Sequence, residues 1–465
     1  MKLVYNVNDK PKFGQVIIFA IQQLLAIMTA TLVVPVIISS DLGLAAAGKA
    51  PAMSSAAALF GAGAGTLIYQ LFTKFRSPVF LGSSFAFIGS MLAAFAGAVS
   101  IQVGFLGIIL GAFFAGLVYV VIAAIVKVAG TGWINKLMPA VVIGPTVAII
   151  GLSLAGNAIG DMSKGNIVDA AEIPIASPIA TVFCGVVTLV ITIICSTYGK
   201  KFTKLIPFIF GILGGYAVAL IMTLIGNSFD IDAIKILNFQ PFRDLVANGV
   251  GLSTFFSAPD FTFLTAYKGF DSITASYIGT VAVAYIPVAF VVFAEHIADH
   301  KNLSSIIKKD LLEEPGLHRT LLGDGIGSAV GAIFGGCPNT TYGESVGCVA
   351  ITKNASVVTI TAAAVLAILI SFISPFIAFV NSIPSCVMGG VCMALYGFIA
   401  VSGLKMIQGV NLNANKNLFV VSTILIAGIG GLTLTFGKIT LTSVACALIL
   451  GIIVNLIVSK ASEQE

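Results

Sequence analysis

The composition of this chain excludes a soluble protein. Its 465 residues are 58% hydrophobic and only 9% charged, whereas a soluble domain carries about 25% charged residues to keep its surface hydrated. Soluble enzymes, nucleic-acid-binding proteins and disulfide scaffolds are therefore excluded. The net charge of +5 is small, so the positions of the basic residues are more informative than their sum. We expect an all-α polytopic membrane protein.

Apolar runs long enough to cross about 30 Å of hydrocarbon occur along the whole chain. The clear ones cover residues 14–39, 51–72, 100–126, 139–160, 173–195, 204–226, 272–298, 354–380, 384–403, 413–432 and 438–459. Three further apolar stretches, 79–94, 320–336 and 342–352, are short or crowded with Gly, Ser, Thr and Pro. With these included, the sequence predicts fourteen membrane-spanning segments.

The basic residues favour one orientation of these segments. If the N-terminus is cytoplasmic, 18 of the 24 basic residues fall in cytoplasmic connections. The six outside are Lys49, Lys164, Lys235, Arg243, Lys268 and Lys438. Basic loops resist translocation. If any of the three weak segments did not cross the membrane, the basic residues would no longer be concentrated on the cytoplasmic side. We therefore predict a multi-pass membrane protein with both termini in the cytoplasm.

The predicted segments divide into two halves of seven. The longest non-apolar stretch, about residues 227–271, separates them. An odd number of segments in each half means that the halves cross the membrane in opposite directions, as in inverted-repeat secondary transporters. The third and tenth segments match, because Gly82-Ser83-Ser84-Phe85 opens one and Asn339-Thr340-Thr341-Tyr342-Gly343 opens the other. The pattern predicts two inverted repeats of seven segments.

Ionisable residues at bilayer depth indicate function, because each costs at least about 2.5 kcal/mol to insert. Glu295 and Asp299 lie one helical turn apart in segment 8, so they share a face, and Glu344 lies at the start of segment 10. Each has an alternative role: Glu295 and Asp299 could reach water at a helix end, and Glu344 could cap a helix. His296 faces away from Glu295, which favours an interhelical hydrogen bond, and we expect His300 to be interfacial.

The two polar clusters indicate a ligand with both donors and acceptors. Extended backbone is tolerated at membrane depth only where it is buried in protein or lines a cavity, and the helices that follow would direct free N–H groups at ligand carbonyls. Glu295 and Glu344 would accept ligand N–H groups. A small planar molecule that alternates N–H and C=O, such as a uracil-like base, fits this layout. Phe85 and Tyr342 could contact it or simply pack, and the amide pair Gln22-Gln23 could support the site or join two helices.

Other chemistry is not indicated by the sequence. The seven cysteines, at 184, 195, 337, 348, 386, 392 and 446, have no CxxC or Cys/His spacing, so we expect small apolar side chains and neither disulfides nor a metal. No phosphate-binding P-loop occurs, and we expect no cofactor. The many glycines, such as Gly61, Gly65, Gly211 and Gly215, are typical of close helix packing.

These motifs together resemble the nucleobase–ascorbate transporter family, and within it the bacterial uracil:proton symporters. The resemblance covers nearly the whole chain. It rests on Gln22 with Leu24-Leu25-Ala26, Val33–Val36, residues 82–87, Ala129-Gly130-Thr131-Gly132-Trp133, Ala294-Glu295-His296, residues 308–312, residues 315–319 and Pro338–Glu344. The last string is specific, since purine-transporting relatives carry an amide-rich motif in place of Thr-Tyr-Gly-Glu.

The resemblance implies a core domain and a gate domain. The core would comprise residues 1–135 (segments 1–4) and 272–382 (segments 8–11), and the gate residues 136–228 (segments 5–7) and 383–465 (segments 12–14 and the C-terminus). Residues 229–271 would form an extracellular connection. Segments 3 and 10 would carry short antiparallel strands. The resemblance also allows a homodimer.

The resemblance also implies roles for individual residues. Glu295 and Glu344 would bind the edge of the base, the backbone at Phe85 and Gly343 would meet its carbonyls, and Ala30 and Tyr342 would line the pocket. We expect Gln22, Gln23, Ser84, Thr341 and His296 to support this site.

Two departures from the family pattern concern the proton. Such symporters often have His at the positions of Gln23 and Asp299, and purine-transporting relatives are similar to this chain at the second. Two carboxylates one turn apart disfavour double ionisation, so we expect Glu295 and Asp299 to share a coupling proton. A xanthine-type purine, Na⁺ coupling, a channel-like anion pore and, more weakly, a membrane-embedded enzyme stay open as alternatives.

Overall fold

A computed structural model describes residues 3–43, 53–168, 174–200, 202–247, 249–436 and 439–459. The first residues of the predicted spans 51–72, 173–195 and 438–459 lie outside the described residues. The same holds for Lys2, Lys49, Lys201, Lys438 and Lys460. Within the described part the chain is mostly helical.

The helices follow the apolar runs of the sequence. In the first half they are α1 (Phe13–Asp41), α2 (Ser55–Phe72), α3 (Ile88–Ala96), α4 (Ile101–Ala129), α5 (Gly132–Leu137), α6 (Ala140–Ser153), α7 (Ala155–Met162), α8 (Pro178–Tyr198), α9 (Phe202–Leu205) and α10 (Pro207–Phe229). The central connection carries α11 (Gln240–Val246), α12 (Leu252–Phe255) and α13 (Thr262–Ala266). In the second half they are α14 (Ala275–Ile307), α15 (Leu317–Gly335), α16 (Gly343–Thr352), α17 (Val357–Ile370), α18 (Ser374–Ser382), α19 (Ser385–Met406), α20 (Asn415–Ile429) and α21 (Ser443–Val458).

Eight stretches of helix in the described residues are long and apolar enough to cross a membrane. They are Phe13–Ser39, Ser55–Phe72, Ile101–Ala129, Ala140–Met162, Pro178–Tyr198, Pro207–Phe229, Ala275–Ile307 and Ser385–Met406. The other predicted spans correspond to helices that are shorter or less apolar. The protein is therefore a polytopic membrane protein, and the count of fourteen segments stays a prediction.

The bounds of several helices differ from the predicted spans in ways that an average over apolar residues cannot detect. The span 139–160 breaks at Leu154, between α6 and α7. The span 354–380 breaks after α17, and α18 starts again at Ser374 with a proline in its first turn, the position where a missing N–H costs least. The last helix begins only at Ser443, where the Thr442 side chain accepts from the backbone N–H of Ala445 at 3.4 Å.

The helices pack in two sets. In one set, α15 packs against α2 and α4, α14 packs against α4, and α17 packs against α1 and α2. In the other, α19 packs against α6, α7 and α8, α8 packs against α10, and α20 packs against α6 and α21. Gly61 and Gly65 of α2 allow the first set to close, because a Cβ on either would lie 2.6 Å from the carbonyl oxygen of Gly331 or Gly327 in α15.

Two short antiparallel sheets accompany the helices. Strand β1 (Leu81–Ser83) pairs with β2 (Asn339–Thr341), with Gly82 opposite Thr340. Strand β3 (Leu434–Phe436) pairs with β4 (Ile439–Leu441). The first sheet is fully buried and joins the two halves of the chain. Its second strand can form because α15 ends at Gly335. The following Gly336, with a φ of +75°, terminates the helix, and Pro338 prevents it from continuing.

Candidate functional site

The β1–β2 ladder positions the starts of two helices at its opposite ends. Beyond the three paired residues, the ladder continues with Ser84 N–H donating to Pro338 O at 2.9 Å and Tyr342 N–H donating to Phe80 O at 3.3 Å. After β1 the chain turns through Phe85–Phe87 into α3, and after β2 it enters α16 at Gly343. Two sets of unpaired backbone N–H groups therefore flank one short sheet.

Buried side chains fix this ladder to the neighbouring helices. Thr66 of α2 accepts from Leu81 N–H at 2.9 Å and lies 3.3 Å from Leu81 O. The Asn339 amide donates to Gly61 O at 3.0 Å. The Tyr342 hydroxyl donates to Ser83 O at 2.8 Å. Since each of these groups is buried and paired, the sheet is rigidly placed.

Glycine is required at position 82 of β1. A Cβ at Gly82 would lie 2.4 Å from the ring of Tyr342 and 2.8 Å from the Thr31 hydroxyl. The Tyr342 ring thus packs directly over the backbone of β1. Its hydroxyl also lies 3.5 Å from that of Thr31 in α1, so a third segment contacts the sheet.

The predicted carboxylates converge beside the start of α16. Asp299 of α14 accepts from the Thr341 hydroxyl at 2.8 Å, and a Cβ on Gly343 would lie 3.7 Å from Asp299 Oδ1. Glu295, one turn before Asp299, interacts electrostatically with both Asp299 and Glu344. Glu295, Asp299 and Glu344 are half-buried, and Gly343 is exposed. The structure thus brings three acidic side chains to one accessible helix start.

The two predicted glutamines have different surroundings. Gln23 is buried and its amide donates to the Ser345 hydroxyl at 2.5 Å. The same hydroxyl accepts from Phe80 N–H at 3.2 Å, so Ser345 joins α1, α16 and the chain before β1. Gln22 is half-buried, and its carbonyl oxygen has no partner among the described residues. Gln23 is therefore part of the framework, whereas Gln22 offers a free acceptor.

The remaining predicted residues lie on the buried side of the site. Ala30 is buried in α1, and Ser84 is buried with its hydroxyl unpaired within the described residues. Phe85 contacts Tyr396 of α19 edge to face, with ring centroids 5.7 Å apart. Phe85 and Tyr396 thus form a contact between the two sets of helices.

His296 and His300 make their hydrogen bonds within the first set of helices, to groups other than the three carboxylates of the site. His296 Nδ1 lies 2.7 Å from Asp324 Oδ2, and its Nε2 lies 2.9 Å from the Thr320 hydroxyl. His300 Nδ1 donates to His296 O at 2.7 Å, and its Nε2 lies 2.7 Å from the Tyr69 hydroxyl. The two rings stack with centroids 4.0 Å apart. The expectation that His300 is interfacial is wrong, because Tyr69 and the carbonyl one turn before provide it with buried partners.

Three residues of this region were missed by sequence reasoning. Asp324 lies in the predicted span 320–336. An ionisable residue at bilayer depth indicates function, as it did for Glu295, so Asp324 could have been predicted on the same ground. Thr31 and Tyr396 carry no comparable signal, since hydroxyl side chains are common in membrane helices and usually bond within their own helix. Only the fold shows that they contact Tyr342 and Phe85.

These features define a class: a polytopic membrane transporter in which two helix starts and a group of carboxylates surround one buried sheet. A model described as "Permease family" matches residues 14–437, and the chain belongs to this family, as its motifs indicated. The chain is 37% identical to the uracil permease of Bacillus subtilis (strain 168), covering 100% of this chain and 97% of that protein. It is also 37% identical to the uracil permease of Bacillus caldolyticus, covering 98% and 95%.

The fold is similar to that of a solved transporter of different sequence. The transmembrane domain of a cyanobacterium bicarbonate transporter, BicA, superposes with a TM-score of 0.58 at 13% identity, covering 97% of this chain and 100% of that one. At this identity the likeness concerns the fold alone. The family and its relatives are permeases, so the protein is a transporter and not an enzyme.

Proposed function

We propose that this protein imports uracil across the plasma membrane in symport with protons. The observation that carries the proposal is the convergence of Glu295, Asp299 and Glu344 on the accessible backbone at Gly343. Similarity to proteins named uracil permease supports the choice of base.

The site matches the edge of a uracil ring. Uracil alternates N–H donors and carbonyl acceptors along one edge. The Glu295 and Glu344 carboxylates would accept its N–H groups, and the backbone at Gly343 and Phe85 would meet its carbonyls. Hydrogen bonds to charged groups contribute about 1.5–3 kcal/mol each, so two carboxylate contacts can select a base against an analogue without those donors. Ala30 and Tyr342 would complete the pocket.

The proton would be held by Glu295 and Asp299. The two residues are one turn apart and interact electrostatically in a half-buried site, which favours one shared proton over two ionised groups. Thr341 fixes Asp299 by donating to it at 2.8 Å, so Glu295 is the member free to bind the base. Protonation would thereby couple to substrate binding through one residue.

Movement of the two helix sets against each other would expose the site to each side in turn. The first set corresponds to the core, residues 1–135 and 272–382, and the second to the gate, residues 136–228 and 383–465, with residues 229–271 as an extracellular connection. In this arrangement fourteen segments form two inverted repeats with both termini in the cytoplasm. The Phe85–Tyr396 ring contact lies between the two sets, and α14 also packs against α6 and α21 of the second set.

Uptake of labelled uracil into proteoliposomes tests this proposal. With an inward proton gradient in Na⁺-free buffer, we expect accumulation that an uncoupler abolishes and that unlabelled xanthine does not reduce. Strong inhibition by xanthine would indicate a purine carrier, and a requirement for Na⁺ would replace the proton as coupling ion. Single-channel conductance without saturable uptake would indicate a pore.

A further inference from the structure

An open groove lies on the outer surface of the protein, apart from the carboxylate site. It is an apolar groove of about 750 Å³, within the range of roughly 300–1,000 Å³ that ligand sites occupy. Its walls are the N-terminal segment 7–10, Ile17 of α1, Phe75 after α2, and one face of α17 between Val357 and Leu369. None of the residues that we assign to substrate binding lines this groove.

The long wall of the groove is a continuous apolar stripe. Val358, Ala362, Val365 and Leu369 recur every three or four residues, which places them on one face of α17. Val358 is 40% exposed and Leu369 is 57% exposed. Because α1 and α17 lie in predicted membrane spans, the stripe faces the bilayer, and whatever covers it must dissolve in hydrocarbon.

One end of the groove is polar and positively charged. Asn8 and Lys10 line it there, Lys12 follows two residues later, and Lys74 adjoins Phe75. None of these three lysines makes an ion pair within the described residues. The acidic neighbour Asp9 accepts from the backbone N–H of Asn6 at 2.7 Å and from its amide at 3.1 Å. Lys10, which forms no ion pair, therefore places a positive charge at the polar end of the groove.

Backbone hydrogen bonds hold the N-terminal wall in place. Val357 N–H donates to Val7 O at 3.1 Å, and Ala355 N–H donates to Tyr5 O at 2.9 Å. The Ser356 hydroxyl donates to Asp9 O at 2.6 Å. The segment therefore pairs with the start of α17 along its length, and the groove is formed before any ligand binds.

We propose that this groove is a binding site for an anionic phospholipid. One acyl chain would lie along the α17 stripe, and the phosphate would lie beside Lys10 at the polar end of the groove. A zwitterionic lipid would fill the apolar part but would leave the Lys10 charge unbalanced. The proposal rests on the membrane placement of α1 and α17 and does not depend on which substrate is carried.

Native mass spectrometry of the purified full-length protein can test this site. The protein is titrated with equal amounts of phosphatidylglycerol and phosphatidylcholine, and the retained lipid is counted. We expect retention of phosphatidylglycerol in preference to phosphatidylcholine. Lys10→Gln should lower that preference about fivefold, the factor that corresponds to ~1 kcal/mol per lysine at an anionic lipid. Ala362→Trp should fill the stripe and reduce the retention of both lipids.

Two matched controls make the result specific to the groove. Lys405→Gln removes an exposed lysine of α19, and Ala124→Trp adds the same bulk to an exposed position of α4; both should retain phosphatidylglycerol as the unmodified protein does. Equal retention of the two lipids, or the same effect from Ala124→Trp as from Ala362→Trp, would overturn the proposal. If Ala362→Trp does not fold, Lys10→Gln decides alone, since it alters only an exposed side chain. Uracil uptake is measured in a separate assay, so the lipid-retention result can be interpreted even if the protein does not transport uracil.

Discussion

Replacing Asp324 with alanine should destabilise the protein far more than breaking an ion pair at its surface. Asp324 and His296 are both fully buried, and their hydrogen bond is 2.7 Å long. Removal of the carboxylate leaves His296 Nδ1 without its partner. An unpaired buried polar group costs about 1–3 kcal/mol. We therefore expect a loss of stability of about 1–3 kcal/mol for Asp324→Ala.

The matched control is Arg76→Gln. Arg76 pairs with Glu314, but the two side chains are 47% and 49% exposed, and such pairs contribute about 0–1 kcal/mol. Buried cysteines, such as Cys337 and Cys386, become reactive to a thiol-specific fluorescent dye as the protein unfolds, so the apparent Tm can be read from dye fluorescence. Asp324→Asn, which keeps an acceptor, should recover part of the loss. If Asp324→Ala and Arg76→Gln have the same Tm, the buried network does not stabilise α14.

Three further changes have expected outcomes. Gly82→Ala should destabilise the protein by about 1–3 kcal/mol, because the added Cβ would lie 2.4 Å from the Tyr342 ring. The control Gly347→Ala, whose Cβ would have nothing within 4 Å, should be neutral or slightly stabilising in the same melting assay, and equal effects of the two variants would contradict this packing. Ser345→Ala should lower the free energy of unfolding by about 1–3 kcal/mol for each donor left without an acceptor. These donors are the Gln23 amide and the Phe80 N–H, and a Tm equal to that of the unmodified protein would show that their bonds to Ser345 do not stabilise the fold. Glu295→Gln should abolish uracil accumulation driven by a proton gradient more severely than exchange at equal pH, and unimpaired accumulation would exclude Glu295 as the coupling residue.

Much of the helical architecture was predictable, because apolar runs and the positions of charges are local properties of the chain. The meeting of Glu295 with Asp299 followed from their spacing on one helix. Glu344 was indicated by the cost of an ionisable residue at bilayer depth, and Gly343, which lies next to Asp299 in the structure, by the family resemblance. The charge pattern supported the weak stretches at 79–94 and 342–352, over which hydropathy alone was ambiguous, but neither property indicates the strands that precede their helices.

Contacts between distant segments were not predictable from one sequence. The Ser345 hydroxyl forms hydrogen bonds with residues more than 250 positions away in the chain, and no local sequence pattern indicates these bonds. His300 was misassigned because it lies near the charged end of a predicted span, where a water-facing side chain is common; its actual partner, Tyr69, lies 231 positions earlier. The breaks at Leu154 and before Ser374 were missed because apolar residues continue through them.

The most direct test of proton coupling is the pH inside proteoliposomes while uracil enters. The vesicles carry a trapped pH-sensitive dye, and uracil is added outside at equal pH in Na⁺-free buffer, with a potassium diffusion potential that is negative inside. We predict that uracil acidifies the interior, and that Glu295→Gln, when it still binds uracil, does not. Uptake of labelled uracil by the unmodified protein without any acidification would contradict proton symport and the role assigned to Glu295 and Asp299.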